Sequence, residues 1–176
     1  SGLFFQTPDG GVAKDARVTH YTPAIKRALL AEALKYIAAF SGQIAVIKYG
    51  GAAMVKESLK DAFAEDVSLL KKVGLKPVVV HGGAPEITKT LEKLGERSEF
   101  VDGMRVTDAQ SLPVVEMVLT GKVNQELVAL LNARGAGAVG LSGKDGRLLR
   151  AKKAIHESGR DLGHVGEVVE VNREFL

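Results

Sequence analysis

The sequence contains no cysteine and no tryptophan, and aromatic residues make up only 5% of its 176 positions. Without thiols there is no disulfide framework, no thiolate nucleophile and no cysteine-ligated zinc, so any chemistry must rest on other side chains. A reducing, intracellular compartment is the expected setting. So few aromatics exclude a stacking platform for single-stranded nucleic acid. Charge of one sign is scarce too: 24 basic residues against 21 acidic ones leave a net charge of only +3, and the two signs interleave along the chain. No nucleic-acid partner is expected on that balance. No run approaches the ~18 uncharged apolar residues of a membrane span, so no membrane association is expected. The four histidines, His20, His81, His156 and His164, show neither H-x-x-x-H nor H-x-x-E-H spacing, and no metal site built by the protein is expected from them.

What is present is a chain with 45% apolar and 26% charged residues, long enough for one domain with a sizeable core. Residues 1–21 show no apolar period and are set aside as a disordered leader or an expression scar. Residues 22–42 read as an amphipathic helix. Thr22-Pro23 supplies a cap and a first-turn proline, Ile25, Leu29, Ala33 and Ile37 recur every fourth residue, and Gly42 closes the pattern. This helix fits either an arm on a neighbouring subunit or a cover for its own core.

Residues 43–176 follow a repeating grammar. Ile44 to Ile47 is a short apolar run ending at Lys48, followed by Gly50-Gly51 and a helical pattern through Val55, Leu59, Phe63, Val67 and Leu70. Pro77 to Val80 ends at His81-Gly82-Gly83, and Pro85 opens a helix through Ile87, Leu91 and Leu94. Continuous apolar strands alternating with helices predict an α/β fold with a parallel sheet covered on both faces. Asp102-Gly103 between two strand-like runs predicts a hairpin. A Thr107–Gln110 capping box predicts a helical region to Gly135, kinked or divided at Pro113 and Gly121. Ala138 to Leu141 reads as a third buried strand, Leu148-Leu149 as the start of a return strand, and Val165 to Val171 as a last strand. Asn172 reads as the cap of a helix whose first turn is the end of the sequence, which predicts a fragment of a longer chain.

In open parallel sheets ligands bind beyond the carboxyl ends of the strands, where helix amino termini aim their amides outward. Gly50-Gly51 and Gly82-Gly83 fall at two such ends and could grip an anion from two sides. Lys48, at the same mouth, reads either as a solvated charge or as a contact to a phosphoryl oxygen. His81 fits the orientation of its glycine loop better than the role of a base. Arg105, just after the hairpin tip, is either an exposed arginine or a paired clamp on a carboxylate. Asp145 and Asp161 need only turn roles. Neither a Walker-type loop nor G-x-G-x-x-G after the first strand is present.

Six ordered blocks go further: Lys48-Tyr49-Gly50-Gly51, Val80 to Pro85, Phe100 to Asp108, Val115 to Leu119 with Gly121 to Asn124, Val139 to Asp145, and Leu162 to Glu167. Together they resemble, in register, the amino-terminal part of the acetylglutamate kinases, within the amino-acid kinase family. The resemblance implies a carbamate-kinase-like three-layer sandwich around a mainly parallel open sheet, with the carboxyl-terminal lobe missing. It implies phosphorylation of the side-chain carboxylate of N-acetyl-L-glutamate by ATP and Mg2+, a cytoplasmic step of arginine biosynthesis. By the same resemblance, Lys48 steadies the transferring phosphoryl group and Gly50 and Gly51 face the nucleotide phosphates. Gly82 and Gly83 hold acetylglutamate, and Arg105 grips a substrate carboxylate. ATP and Mg2+ would both need the missing lobe, so the isolated chain is expected to be inactive. A homo-oligomer is implied: a dimer through this lobe, and in arginine-inhibited members a hexamer through a leading helix like the one carrying Tyr36. The third glycine of the family's substrate loop is here Ala84, which would be strained if that position requires a positive φ. Alternatives are a non-catalytic acetylamino-acid-binding or regulatory module, the kinase-like part of an acetylglutamate synthase, or an acetylaminoadipate kinase.

Overall fold

The computed structural model describes residues 21–50 and 52–175. Most of the expected leader, together with Gly51 and Leu176, lies outside them. The chain divides after Ser41 into two units. The first holds α1 (Pro23–Phe40), whose amino terminus is capped as its sequence predicts, Thr22 Oγ1 accepting the Ile25 N–H at 3.4 Å. Pro23 sits in the first turn, where a missing N–H costs no intrahelical bond.

In the second unit, β1 (Ile44–Tyr49) and β2 (Lys76–His81) form a parallel pair in register from Ile44 opposite Lys76 to Tyr49 opposite His81. Between them run α2 (Ala52–Val55) and α3 (Glu57–Lys72). The apolar period predicts one helix here, but the backbone turns extended at Lys56, with φ −92° and ψ 120°. The Tyr49 hydroxyl donates to the Ala53 carbonyl at 2.9 Å, occupying the acceptor that an unbroken helix would offer Glu57. Alternation along the strands then decides the core. Ile47, Tyr49 and Val79 turn inward, and Tyr49, Phe63, Ala64, Val67, Leu127, Leu131 and Ala136 pack as one buried cluster. The Tyr49 and Phe63 rings lie 4.3 Å apart, centroid to centroid.

The opposite face differs from expectation. Ile44, Val46, Val78 and Val80 are exposed, Val46 by 71%, so among the described residues of the second unit this sheet is covered on one face. The reason lies in α4 (Ala84–Lys93), which buries Ile87 and Leu91 against Val118 and Val123 instead of crossing the sheet.

After α4, β3 (Phe100–Val101) and β4 (Met104–Arg105) form the predicted hairpin, with Asp102 (φ 48°) and Gly103 (φ 81°) as its two-residue turn. The helical region that follows is α5 (Ser111–Glu116), a π-helical stretch (Met117–Val123) and α6 (Asn124–Asn132). A π segment absorbs the irregularity predicted at Gly121. The capping box is not formed. Asp108 caps the helix, its Oδ1 accepting the Ser111 N–H at 2.7 Å, while Thr107 is buried in a bridge to Gly163.

The predicted third strand, Ala138 to Leu141, has no ladder partner among the described residues. Side-chain amides serve instead: Asn132 both donates to and accepts from the Ala138 backbone, at 3.0 and 2.6 Å, and Asn124 donates to the Leu141 carbonyl at 3.2 Å. The two later strands expected from the sequence are present as β5 (Leu149–Lys153) and β6 (Gly166–Val171), and they pair with each other antiparallel. No helix starts at Asn172, whose side chain donates to the Gly146 carbonyl at 2.8 Å and whose N–H donates to Leu148, leaving a turn at Arg173-Glu174.

Candidate functional site

Parallel pairing sets the carboxyl ends of β1 and β2 side by side, and the Gly82 N–H reaches the Tyr49 carbonyl at 3.4 Å. The turns after the two strands therefore share one mouth, the juxtaposition expected from the two glycine pairs. Gly50 and Gly82 are uncrowded: a Cβ built on either would meet nothing within 4 Å. Gly51 lies outside the described residues. Lys48 is exposed, on the open face of β1 with Ile44 and Val46, one residue before the strand end.

Gly83 caps α4 and is buried. A Cβ there would stand 2.8 Å from Leu119 Cδ2 and 3.4 Å from Val123 Cγ2, so the absent side chain lets this loop press onto the π-helical stretch. Ala84 opens α4 in ordinary helical conformation and is not among the residues with positive φ, so its Cβ strains nothing. The His81 ring nitrogen Nδ1 lies 3.0 Å from the Gly82 carbonyl, an orienting contact within the loop.

Arg105 is brought to this same loop from the hairpin. Its Nη2 donates to the Ala84 carbonyl at 3.1 Å and to Thr88 Oγ1 at 2.8 Å, and its Nη1 donates to Ser98 Oγ. The guanidinium also lies over the Phe100 ring, 4.6 Å from the centroid. Every one of these partners is neutral. Among the described residues no carboxylate pairs with Arg105, so the charge is positioned without being cancelled. Burial pulls its pKa below the ordinary arginine value, and the group remains a cation.

Thr88 and Ser98, which hold the guanidinium, were not singled out in the sequence. Thr88 sits one helical turn beyond Ala84, and that spacing is the only local sign of a shared face. Glu86, in the first turn of α4, lies 2.8 Å from Lys122 Nζ and 3.8 Å from Lys89 Nζ, and the Lys122 ammonium holds its carboxyl below the usual range. Tyr49, beneath the mouth, is buried, which pushes its phenol up. Magnesium finds no evident ligand set: among the described residues no three His, Asp or Glu side chains gather as a metal-binding cluster. A wide surface cleft elsewhere, lined by Asp108, Asp161 and His164, has its carboxylates engaged. Asp161 binds Lys153 at 2.7 Å and the Gly163 N–H at 2.8 Å, and Asp108 caps α5.

Two parallel strands whose following turns lie side by side, with the amino terminus of α4 and an uncancelled guanidinium next to them, define an α/β domain that presents hydrogen-bond donors at the carboxyl edge of its sheet. The family model described as "Amino acid kinase family" matches residues 43–176, and the chain belongs to that family. It is 56% identical over 155 residues to an acetylglutamate kinase of Geobacter sulfurreducens, an alignment covering 84% of this chain and 53% of that protein. Likewise, it is 55% identical over 159 residues to an acetylglutamate kinase of Methanocaldococcus jannaschii, covering 86% and 53%. Among solved structures, an N-acetylglutamate synthase of Neisseria gonorrhoeae, complexed with coenzyme A and N-acetyl-glutamate, superposes with a TM-score of 0.62 at 25% identity, over 82% of this chain and 32% of that one. The chain spans about half the length of the curated relatives it matches. No helix among the described residues is long and apolar enough to cross a membrane.

Proposed function

We propose that this chain is the acceptor-binding half of an acetylglutamate kinase. N-acetyl-L-glutamate sits at the mouth formed by the turns after β1 and β2, with one carboxylate on Arg105 and the other toward Lys48. In the complete reaction an oxygen of the side-chain carboxylate attacks the γ-phosphorus of ATP. The bond from that phosphorus to the β–γ bridging oxygen breaks, ADP leaves, and an acyl phosphate forms. Such a transfer asks mainly for alignment and for cationic or amide stabilisation of spreading charge. Lys48 supplies the ammonium for the phosphoryl oxygens, Gly50 and Gly51 leave backbone free to approach the nucleotide phosphates, and Gly82 and Gly83 cradle the acceptor. Mg2+ has no carboxylate or histidine cluster to hold it among the described residues.

The observation that carries the reading is the Arg105 guanidinium, anchored by neutral acceptors at the amino-terminal turn of α4 with no carboxylate of its own. Within the second unit, the uncovered apolar face of β1–β2 supports association into a homo-oligomer. Small, water-soluble substrates fit a cytoplasmic location. A second reading, the kinase-like part of an acetylglutamate synthase, draws on the 25% identical synthase structure; the 56% identity to a kinase favours the first.

Calorimetric titration separates the readings. The chain is expected to bind N-acetylglutamate at one site, to bind N-acetyl-aminoadipate more weakly, and to lose at least about tenfold in affinity in Arg105→Ala, as removal of a charge-assisted pair does. Absence of acetylglutamate binding, or wild-type affinity in Arg105→Ala, contradicts the proposal.

A further inference from the structure

We propose that His156 is a positioning residue for Arg105, acting through the tip of the β3–β4 hairpin; the inference rests on the acceptor-site reading of Arg105. The hairpin is short, with two residues in each strand, and has little hold on its own conformation. Arg105 lies on it, so the direction of the guanidinium depends on what pins the hairpin from outside. One loop, residues 154–165 between β5 and β6, grips it at three places. At the start of the hairpin Arg160 pairs with Glu99. At its end Thr107 donates to the Leu162 carbonyl at 3.0 Å and accepts from the His164 N–H at 2.6 Å. The approach there is so close that a Cβ on Gly163 would stand 2.1 Å from the Thr107 carbonyl oxygen. At the tip is His156.

His156 is 7% exposed, although Glu157, Ser158, Gly159 and Arg160 beside it are all exposed. Its Nδ1 accepts the Ser158 N–H at 3.2 Å and lies 2.7 Å from Ser158 Oγ. A backbone N–H can only donate, so Nδ1 is the acceptor and the neutral ring carries its proton on Nε2. That nitrogen faces Asp102 Oδ2 at 3.2 Å. Asp102 is the turn residue with φ 48°, three positions before Arg105. The ring is thus fixed on one side by its own loop and directs its remaining N–H at the hairpin turn. Asp102 itself is 81% exposed, so the contact contributes little to overall stability and its effect is local, on the direction of the tip.

The test uses the whole 176-residue chain. His156→Ala is expected to weaken N-acetylglutamate binding roughly tenfold, in the range that displacement of a binding group produces, with an unchanged far-ultraviolet circular dichroism spectrum. His156→Gln, which keeps an N–H donor near the position of Nε2, is expected to restore most of the affinity, and Asp102→Asn to lose part of it. In an Arg105→Lys background His156→Ala is expected to add little further loss, because the residue acts through Arg105. Hydrogen exchange supplies a readout that needs no ligand: the Val106 amide, bonded to the Glu99 carbonyl at 2.9 Å, is expected to lose protection in His156→Ala while the Val79 amide does not. Wild-type affinity in His156→Ala, full additivity with Arg105→Lys, or unchanged protection at Val106 overturns the inference. Failure of the unmutated chain to bind acetylglutamate overturns the acceptor-site reading instead, and the exchange result then decides whether His156 pins the hairpin.

Discussion

Arg105 donates to the carbonyl of Ala84 at 3.1 Å, and Ala84 directly follows Gly83. A residue of the hairpin is thereby tied to the glycine loop 21 positions before it in the sequence. The tie uses the backbone of Ala84 and leaves its methyl group outside the contact. Ala84→Gly is therefore expected to leave acetylglutamate affinity unchanged and to lower stability by about 0.5 kcal/mol, through the greater freedom of the unfolded chain. Urea denaturation together with calorimetry checks both halves of that expectation.

The two glycines before it are not equivalent. Gly83→Ala brings a Cβ to 2.8 Å from Leu119 Cδ2, so Leu119 must leave its place against α4, at a cost of about 1–2 kcal/mol. Gly82→Ala meets nothing within 4 Å and should change stability by less than about 0.5 kcal/mol. Its effect, if the acceptor lies on this loop, falls on binding. Chemical denaturation of the two variants should separate them cleanly.

Glu86 links α4 to the π-helical stretch through Lys122. Its carboxyl is depressed by that ammonium first, with Lys89 and Lys60 adding to the effect. A carboxylate with a lowered pKa in the folded state stabilises the fold above its unfolded value, and the contribution is lost as pH falls through the folded one. The loss belongs to the acid side, within and below the ordinary carboxylate range. Glu86→Gln should therefore lower the melting temperature at pH 7 and leave it nearly unchanged near pH 2, whereas equal shifts at both pH values would remove Glu86 from the account.

With ATP, magnesium and N-acetylglutamate, the 176-residue chain is expected to form no acyl phosphate trapped as hydroxamate. The alignments to the curated acetylglutamate kinases cover only 53% of those proteins. Clear turnover would contradict the division of labour proposed for this half.

Local signals carried the local structure. Asp102-Gly103 specified the hairpin turn, with both residues at positive φ, and Thr22-Pro23 specified the start of α1. The mouth followed from two strands that could pair only in parallel. What escaped depends on contacts between distant residues. The Tyr49 hydroxyl interrupts the helix before Glu57, Thr107 is drawn into a bridge with Gly163 and leaves capping to Asp108, and Ala138 is met by the amide of Asn132 instead of a strand. From its place after the turn Arg105 read more readily as an exposed hairpin arginine, and only the resemblance gave it a substrate carboxylate. The Ser98, Thr88 and Ala84 acceptors that keep its charge uncancelled were not legible, because nothing in local spacing brings them to it.

Amide chemical shifts of the isotopically labelled chain, followed while N-acetylglutamate is added, test the location of the site most directly. The account predicts saturable shifts concentrated at Gly82, Gly83, Ala84 and the Arg105 Nε–H, absent in Arg105→Ala. Shifts gathered instead around Asp108 and His164, or none at saturating ligand, would contradict it.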